Sequence, residues 1–329
     1  MKMRVATICA VVKVMLAMNG GAQADIFGTG DNQFTIDFVP ISGSTNPTSG
    51  IPAGKGFTFT GVNNDYRMGK FEITNAQWDK FKAAYGTVTG NPLYAYDADP
   101  YWTDESVPTN MTSWYEAAQF VNYLNTSKGY QAAYKFTCKQ GFSFYQFGVW
   151  QSGDVGYNAS NPYRNSNAFY FLPTENEWVK AAYWNGTALQ TYATKAGESL
   201  YQGNGSNGGW NYNSYAPWAV GIGSRELNGT YDMMGNVQEW MESPCYSGDY
   251  FSGNYLSGSS RGIRGGSYYY SDQSGLYLAS SIREGASSNS QGHDIGFRVA
   301  SVPEPATILF FAFSGIFLHS RNKFSYYRN

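Results

Sequence analysis

Histidine and cysteine are scarce in this sequence of 329 residues, which contains two histidines and three cysteines. With only His293 and His319, a metal site built from three imidazoles is excluded. The cysteines are Cys9, Cys138 and Cys245. Cys138 and Cys245 are able to form a disulfide in an oxidising compartment, but the sequence alone does not decide between a disulfide and two free thiols.

Charged residues are also few, at 14% of the chain, and the formal net charge is −2. Domains that bind nucleic acids usually have a basic stripe or patch, so we expect no nucleic-acid partner. Aromatic residues, in contrast, make up 18% of the chain, and there are 38 glycines. Because Tyr and Trp combine a large apolar ring with a polar atom, they can pack a core that is built largely of loops.

The first 24 residues have the pattern of an export signal. Lys2 and Arg4 precede an apolar run, and Ala22 and Ala24 give the small-x-small pattern of a cleavage site. The alternative is a buried N-terminal helix, which the polar, glycine-rich stretch NGGAQAD directly after the run disfavours. We therefore predict that residues 1–24 are a signal peptide and that the chain is exported.

Residues 303–329 form a second distinctive terminus. Pro303 and Pro305 precede an apolar run from Ala306 to Leu318, which is short compared with the about 20 residues of a membrane span. Three basic residues follow the run. This order resembles the PEP-CTERM sorting tail of bacterial proteins.

The tail's resemblance implies processing near Pro-Glu-Pro by an exosortase-type enzyme. It also implies export from a Gram-negative cell, with release or attachment in the periplasm, at the outer cell surface or in the extracellular matrix. Contact with a membrane is then expected only through the two terminal segments.

Three helices are predicted by capping boxes, in which a hydroxyl and a Glu or Gln three residues later satisfy each other's backbone N–H groups. The pairs are Thr74 with Gln77, Ser113 with Glu116, and Thr174 with Glu177. Each helix has a tryptophan in its first turns. Short alternating patterns such as HDIGFRVA indicate strands, and the rest is rich in Gly, Asn, Ser and Tyr. The predicted fold class is α+β, with short strands and much coil.

The mature chain is long enough for one large domain with an extension. Residues 25–60 are rich in Gly, Ser, Thr and Pro, and we interpret them as an N-terminal extension or edge strand. Residues 61–302 are predicted to form a single coil-rich domain.

Six motifs, in a characteristic order, resemble those of the formylglycine-generating enzyme family, also named sulfatase-modifying factors. They are FEITNAQWDKF (71–81), TSWYEAAQFVNYLN (112–125), FLPTENEWVKAAYW (171–184), NGTYDMMGNVQEW (228–240), RGGSY (264–268) and IGFRVA (295–300). The resemblance covers about residues 60–300. It implies a single α+β domain, rich in coil and related to C-type lectins.

The same resemblance implies copper(I), which these enzymes bind with two cysteines after the RGGS motif to oxidise a substrate cysteine. No cysteine follows Ser267 here, and the matching region lies near Gly275 and Ser280. Thiolates are the ligands that copper(I) prefers, so copper is not expected. Iron is not expected either, because the iron-dependent relatives use several histidines.

Other catalytic interpretations are weaker. A hydrolytic triad with His293 and Asp294 lacks any nucleophile-elbow pattern, and Glu177 is already used by a capping box, which disfavours an acid–base pair with Glu175. Met233 and Met234 offer thioethers to copper(I), but core methionines are far commoner. The catalytic residues therefore stay unknown.

The family resemblance also implies a calcium site in the loop TYDMMGNVQEW. By position, the side chains of Asp232 and Glu239 and the carbonyl groups of Gly235 and Val237 match the family's ligands, and oxygen donors of these kinds suit calcium. The alternative is a plain turn with two solvated acids. We predict structural calcium at these four residues.

The segments WNYNSYAPW and SYYYSD bring aromatic and amide groups together, as in surfaces that recognise peptides or glycans; loop packing is the alternative.

We predict a calcium-stabilised binding or matrix module without the copper cysteines. The competing hypothesis is an oxidoreductase of this family that uses a rearranged active site.

Overall fold

A computed structural model describes residues 23–138, 145–206, 208–245, 260–270 and 274–303. Most of the predicted signal peptide and sorting tail lies outside these ranges. Within the ranges, no helix is both long and apolar enough to span a membrane.

The described helices are α1 (Asn75–Tyr85), α2 (Trp114–Thr126) and α3 (Glu175–Tyr183). The described strands are β1 (Gln23–Phe27), β2 (Phe34–Ile41), β3 (Ile51–Pro52), β4 (Thr58–Phe59), β5 (Tyr66–Gly69), β6 (Lys135–Cys138), β7 (Tyr145–Gly148), β8 (Tyr170–Phe171), β9 (Gln238–Pro244), β10 (Ser260–Arg264), β11 (Glu284–Ser287), β12 (Ile295–Gly296) and β13 (Ala300–Ser301).

All three helices begin where the capping boxes predict. In α1 the Thr74 hydroxyl accepts a hydrogen bond from the Gln77 N–H at 3.2 Å, and the Gln77 side chain accepts one from the Thr74 N–H at 2.9 Å. The same reciprocal bonds form at the starts of α2 and α3. The tryptophans that follow the caps, Trp78, Trp114 and Trp178, are all buried. The three predicted helices are confirmed.

The strands β1, β2, β5, β13 and β8 lie side by side, in that order, in an antiparallel sheet. Residues 25–60 supply most of β1, all of β2, and the separate β3–β4 ribbon. The Asp25 carboxylate on β1 accepts hydrogen bonds from Arg67 at 2.6 and 3.0 Å and from the Tyr170 hydroxyl at 2.8 Å. These bonds link the N-terminal strand to β5 and β8.

A second sheet has the order β11-β10-β9-β12, in which β12 runs parallel to β9. Glu239 on β9 lies opposite Arg264 on β10, and Trp240 lies opposite Ile263. The RGGSY motif begins at the end of β10, and the IGFRVA motif begins with β12. Motifs that are far apart in the chain therefore meet at this sheet, where the candidate site lies.

The core consists of two apolar clusters. The first contains residues of α1, α2 and both sheets, and the second is packed around α3. Aromatic rings fill much of the first: the ring centroids of Trp78, Phe81 and Phe120 lie 5.0 to 5.9 Å apart. The predicted α+β class, with short strands and three capped helices, is confirmed.

Candidate functional site

The segment from Thr230 to Trp240 is a buried loop that leads into β9. Asp232 is 6% exposed and Glu239 is 0% exposed, so neither acid is a solvated turn residue. Gly235 has a φ of 83°, a left-handed conformation that favours glycine. A Cβ at this position would lie 2.3 Å from the Asn211 carbonyl oxygen. The path of the loop therefore requires glycine at this position.

Glu239 forms a buried ion pair with Arg298. Arg298 Nε and Nη2 each lie 2.6 Å from a different oxygen of the Glu239 carboxylate, and the Trp178 indole N–H donates to the same group at 2.8 Å. Both charged side chains are fully buried. Such two-point contacts between guanidinium and carboxylate are among the strongest hydrogen-bonded pairs. Arg298 is thus the cation that Glu239 contacts.

Three further buried carboxylates interact with the same arginine: Glu72, Glu226 and Asp232. Each accepts hydrogen bonds from backbone N–H groups at 2.7 to 3.2 Å, and Glu72 and Glu226 bind the loop itself. Burial is the main cause that raises the pKa of Glu226 to about 8 and the pKa of Asp232 to about 6, and repulsion between neighbouring carboxylates adds to it. Sequence reasoning missed Glu72 and Glu226, because neither belongs to a recognisable ligand pattern.

The predicted calcium ligands fit a calcium ion only in part. Four ionised carboxylates around one arginine would leave a surplus of negative charge, which favours a further cation, but the raised pKa of Glu226 keeps that carboxyl group protonated near neutral pH and reduces the surplus. Glu239, however, already directs both oxygens to Arg298. The described residues contain no group of three or more His, Cys, Asp or Glu side chains arranged for a metal. Asp232 and the carbonyl groups of Gly235 and Val237 are left as candidate ligands, and calcium at this loop stays a prediction.

A chain of hydrogen bonds orients His293. The Trp102 indole N–H donates to the Tyr268 hydroxyl at 2.8 Å, and that hydroxyl lies 2.7 Å from His293 Nδ1. Burial raises the pKa of Tyr268 to about 12, so its hydroxyl keeps the proton and donates it to Nδ1. We infer that a neutral His293 has its own proton on Nε2.

The neighbouring acid does not complete a triad. Asp294 accepts hydrogen bonds from the Ser267 hydroxyl at 3.0 Å and from the Gln238 amide at 3.3 Å. His293 is oriented by Tyr268 and not by Asp294. The described contacts therefore do not match a serine–histidine–aspartate arrangement.

Five side chains form a cluster that we name the aromatic patch: Tyr101, Trp102, Tyr268, Tyr269 and His293. The His293 ring lies 5.4 Å from the Tyr101 ring and 5.1 Å from the Tyr269 ring. Tyr101 is 65% exposed and Tyr269 is 63% exposed, so much of the patch faces solvent. Of these residues only those of SYYYSD were anticipated from sequence, because the other three come from distant loops.

The segment WNYNSYAPW lies beside the aromatic patch. The Ser214 N–H donates to the Tyr268 carbonyl at 2.8 Å, and the Asn213 N–H donates to the Tyr270 carbonyl at 2.9 Å. Tyr215 is 98% exposed. The structure therefore places the two aromatic segments singled out in the sequence next to each other.

A narrow groove, with no enclosed space for a water molecule, lies at the RGGS motif. Its lining residues are Gln238, Ile263, Arg264, Gly265, Gly266, Tyr277, Ile282 and Glu284, and none of them has a thiol. Ser280, near the position of the family's cysteines, accepts a hydrogen bond from Arg264 through its carbonyl group at 2.8 Å.

Cys245 is a free thiol outside the groove lining. Its Sγ lies 3.8 Å from Arg283 Nη1, and burial raises the pKa of the thiol. The side chain of Cys138 lies outside the described part of the structure. A buried, protonated thiol is a poor metal ligand, because thiolates are the species that bind metals.

The remaining side chains considered from sequence have structural contacts. The Glu175 carboxylate forms ion pairs with Arg264 and Arg283 at 2.6 and 2.7 Å. Met233 and Met234 are 0% and 1% exposed and belong to the core around α3.

A scan against protein-family models matched residues 57–302 to the sulfatase-modifying factor enzyme 1-like domain. The chain belongs to this family. Among solved structures, the chain is similar to variable protein 1 of Treponema denticola, at 22% identity and a TM-score of 0.56, with 85% of this chain and 99% of that chain covered. It is also similar to the protein CarF, at 20% identity and a TM-score of 0.52, with 82% and 99% covered. A search of curated proteins found no match.

At these identities the solved structures show a shared fold and nothing about shared function. For a sulfatase-modifying factor domain, the decisive question is whether the residues present can bind copper. The groove at the RGGS motif is lined by hydroxyl, amide, apolar and charged side chains, which are not the donors that copper(I) prefers. The described groove does not fit the family's metal.

Proposed function

We propose that this protein is an exported sulfatase-modifying factor domain that acts as a binding or matrix module and does not oxidise cysteine. The observation that carries the proposal is the donor set at the RGGS motif. Gly265 and Gly266 have φ of 100° and 68°, and no thiol lines the adjacent groove. The family domain is therefore present, while the donors that copper(I) prefers are not among the residues that line this groove.

The aromatic patch supports a role in binding. Large rings exposed to solvent cost free energy unless a partner covers them, and Tyr gives much contact area for little loss of side-chain entropy. Hydrogen bonds fix the centre of the patch: Tyr268 is 1% exposed and joins Trp102 to His293 through its hydroxyl group. A preformed surface reduces the free energy lost on ordering when a ligand binds.

Export and sorting complete the proposal. The signal peptide of residues 1–24 would direct the chain out of the cytoplasm, and the tail of residues 303–329 would be processed by an exosortase-type enzyme. The domain would then act at the outer cell surface or in the matrix, where peptides and glycans are both present.

Copper-dependent oxidation gives a direct test. The purified protein is incubated with copper(I), oxygen and a cysteine-containing sulfatase peptide, and the peptide is analysed by mass spectrometry. We expect no formylglycine. Formation of formylglycine above the rate without protein would contradict the proposal.

The alternative, a rearranged oxidoreductase site, is favoured by one observation. Tyr268 and His293 form a hydrogen-bonded pair beside solvent, which is able to move a proton. If an activity is found, His293→Gln should reduce kcat strongly. In the described part of the chain, Arg283 contacts Glu175 and no residue of the aromatic patch, so Arg283→Lys should lower the stability of the protein and leave kcat unchanged.

A further inference from the structure

We propose that the aromatic patch, together with the acidic loop of residues 97–105, is a docking surface for a lysine- and arginine-rich segment of a partner protein. This inference rests on the binding function proposed above and specifies the class of partner for the same surface.

The chain segment that contains the acidic loop carries charges of one sign only. Residues 83–127 include five acidic residues and no lysine or arginine. Four of the acids belong to the acidic loop, and all four are exposed: Asp97, Asp99, Asp104 and Glu105. Charges of one sign on a surface attract a partner of the opposite sign and increase its association rate. The loop therefore favours a cationic partner.

The rings of the patch are free of internal cations. Elsewhere the protein places its own guanidinium groups over rings, as with Arg164 over Phe171 at 3.8 Å and Arg67 over Phe38 at 4.7 Å. None of the cation–ring contacts in the described part of the chain involves Tyr101 or Tyr269. An exposed contact of this kind contributes about 0.5–1 kcal/mol. The two exposed tyrosines thus offer open faces to a partner's Lys or Arg.

A cleft of about 110 Å³ borders the acidic loop. Its lining includes Asp97 and Thr103 of the acidic loop, and Asp79 and Lys82 of α1. Lys82 is the one basic residue of this lining, and it lies 3.9 Å from Asp79. An extended lysine side chain fits such a cleft, because its apolar stem can contact the walls while its ammonium group meets carboxylates.

Side-chain hydrogen bonds fix the acidic loop in place. The Asn110 side chain accepts hydrogen bonds from the N–H groups of Tyr101 and Trp102 at 2.9 and 3.1 Å, and the Asn75 amide donates to the Trp102 carbonyl at 2.8 Å. Part of the cleft lining and the exposed Tyr101 ring therefore belong to one hydrogen-bonded loop. A peptide that crosses this loop can contact both.

The experiment measures binding of fluorescent octalysine to the purified protein by anisotropy. We expect binding at an ionic strength of about 0.01 M, where charges act over about 30 Å, and loss of most of it at about 1 M, where they act over about 3 Å. The double variant Tyr101→Ala/Tyr269→Ala should bind about 5- to 30-fold more weakly, the equivalent of two exposed cation–ring contacts. Asp97→Asn/Asp99→Asn should also weaken binding, chiefly at low salt.

Two variants are matched controls. Asp31→Asn removes an exposed acid elsewhere, and Tyr157→Ala removes a tyrosine that is 36% exposed in another loop; both should bind octalysine like the unchanged protein. All variants should keep the same melting temperature, which excludes unfolding as the cause.

Two outcomes would overturn the inference: no binding of octalysine at low salt, or equal binding by the Tyr101→Ala/Tyr269→Ala variant. Binding of octaglutamate and of a neutral glucan oligosaccharide is measured in parallel as a comparison. If either of these binds instead and the tyrosine variant abolishes that binding, the proposed binding function stands and the cationic partner class fails.

Discussion

Two buried arginines in this protein show how differently the same residue can be accommodated. Arg298 meets a carboxylate at two points, whereas Arg261 is 0% exposed and its Nε and Nη2 have no hydrogen-bond partner among the described residues. The Arg261 guanidinium instead lies 4.1 Å from the Trp114 ring centre and 4.0 Å from that of Tyr163. Arg298 forms an ion pair with a carboxylate, whereas Arg261 is stabilised mainly by contacts with aromatic rings.

This contrast predicts that replacing each arginine by methionine changes the free energy of unfolding by very different amounts. Arg298→Met should lower the free energy of unfolding by about 3–5 kcal/mol, because Glu239 would stay buried without its cation. Arg261→Met should change it by less than about 1 kcal/mol, because a buried charge without a carboxylate partner costs solvation free energy that Met does not. Urea denaturation of both variants tests this. Equal losses would contradict the contrast between a charge-paired and a ring-packed arginine.

Substitution of single residues in the loop tests whether it binds calcium. If calcium binds Asp232 and the nearby carbonyl groups, EDTA should lower the melting temperature, and Asp232→Asn should abolish that effect, because ligand removal acts by mass action. Glu239→Gln should lower the melting temperature equally with and without EDTA, since Glu239 is paired with Arg298. Differential scanning calorimetry measures both. A melting temperature unaffected by EDTA would refute the calcium prediction.

At the scale of elements, strands β1 and β2 lie before the residues that match the family domain. The family match begins at residue 57, yet β1 and β2 are part of the sheet that contains β5, β13 and β8. Asp25 lies directly after the predicted cleavage site, and its ion pair with Arg67 is buried, with both side chains 5% exposed. The mature N-terminus is therefore expected to be a structural element and not a free tail.

Asp25→Asn tests this role while keeping the side-chain volume. The change removes the negative charge that faces Arg67, so we expect a loss of about 3–5 kcal/mol in the free energy of unfolding. Asp31→Asn, at an exposed position of the same segment, should change it by less than about 0.5 kcal/mol. Similar values for the two variants would mean that β1 contributes little to stability.

At the scale of the whole molecule, processing at both ends determines where the domain acts. We expect the protein isolated from cells to begin at Asp25 and to end near Pro303–Pro305, with the apolar run and the basic end removed. N-terminal sequencing and mass spectrometry of the C-terminal peptide measure both ends. Recovery of the intact chain from the cytoplasm would contradict export and sorting together.

Local patterns were enough to predict the helices and the family. A capping box depends on residues three positions apart, so Ser113 with Glu116 can be recognised without any knowledge of the fold. The glycine of the TYDMMGNVQEW loop and the order of the six motifs are likewise properties of the chain itself. The scarcity of cysteine, from which we expect no copper site, is also a property of the sequence alone.

The tertiary structure determines which side chains contact each other when they are far apart in the sequence. Glu239 was predicted as a calcium ligand, but Arg298 lies 59 positions away in the chain, and only the pairing of β9 with β12 brings the two together. The aromatic patch combines Trp102, Tyr268 and His293 from three loops for the same reason. Local sequence specifies backbone hydrogen bonding over a few residues, whereas side-chain partners at this distance depend on how the sheets and loops pack.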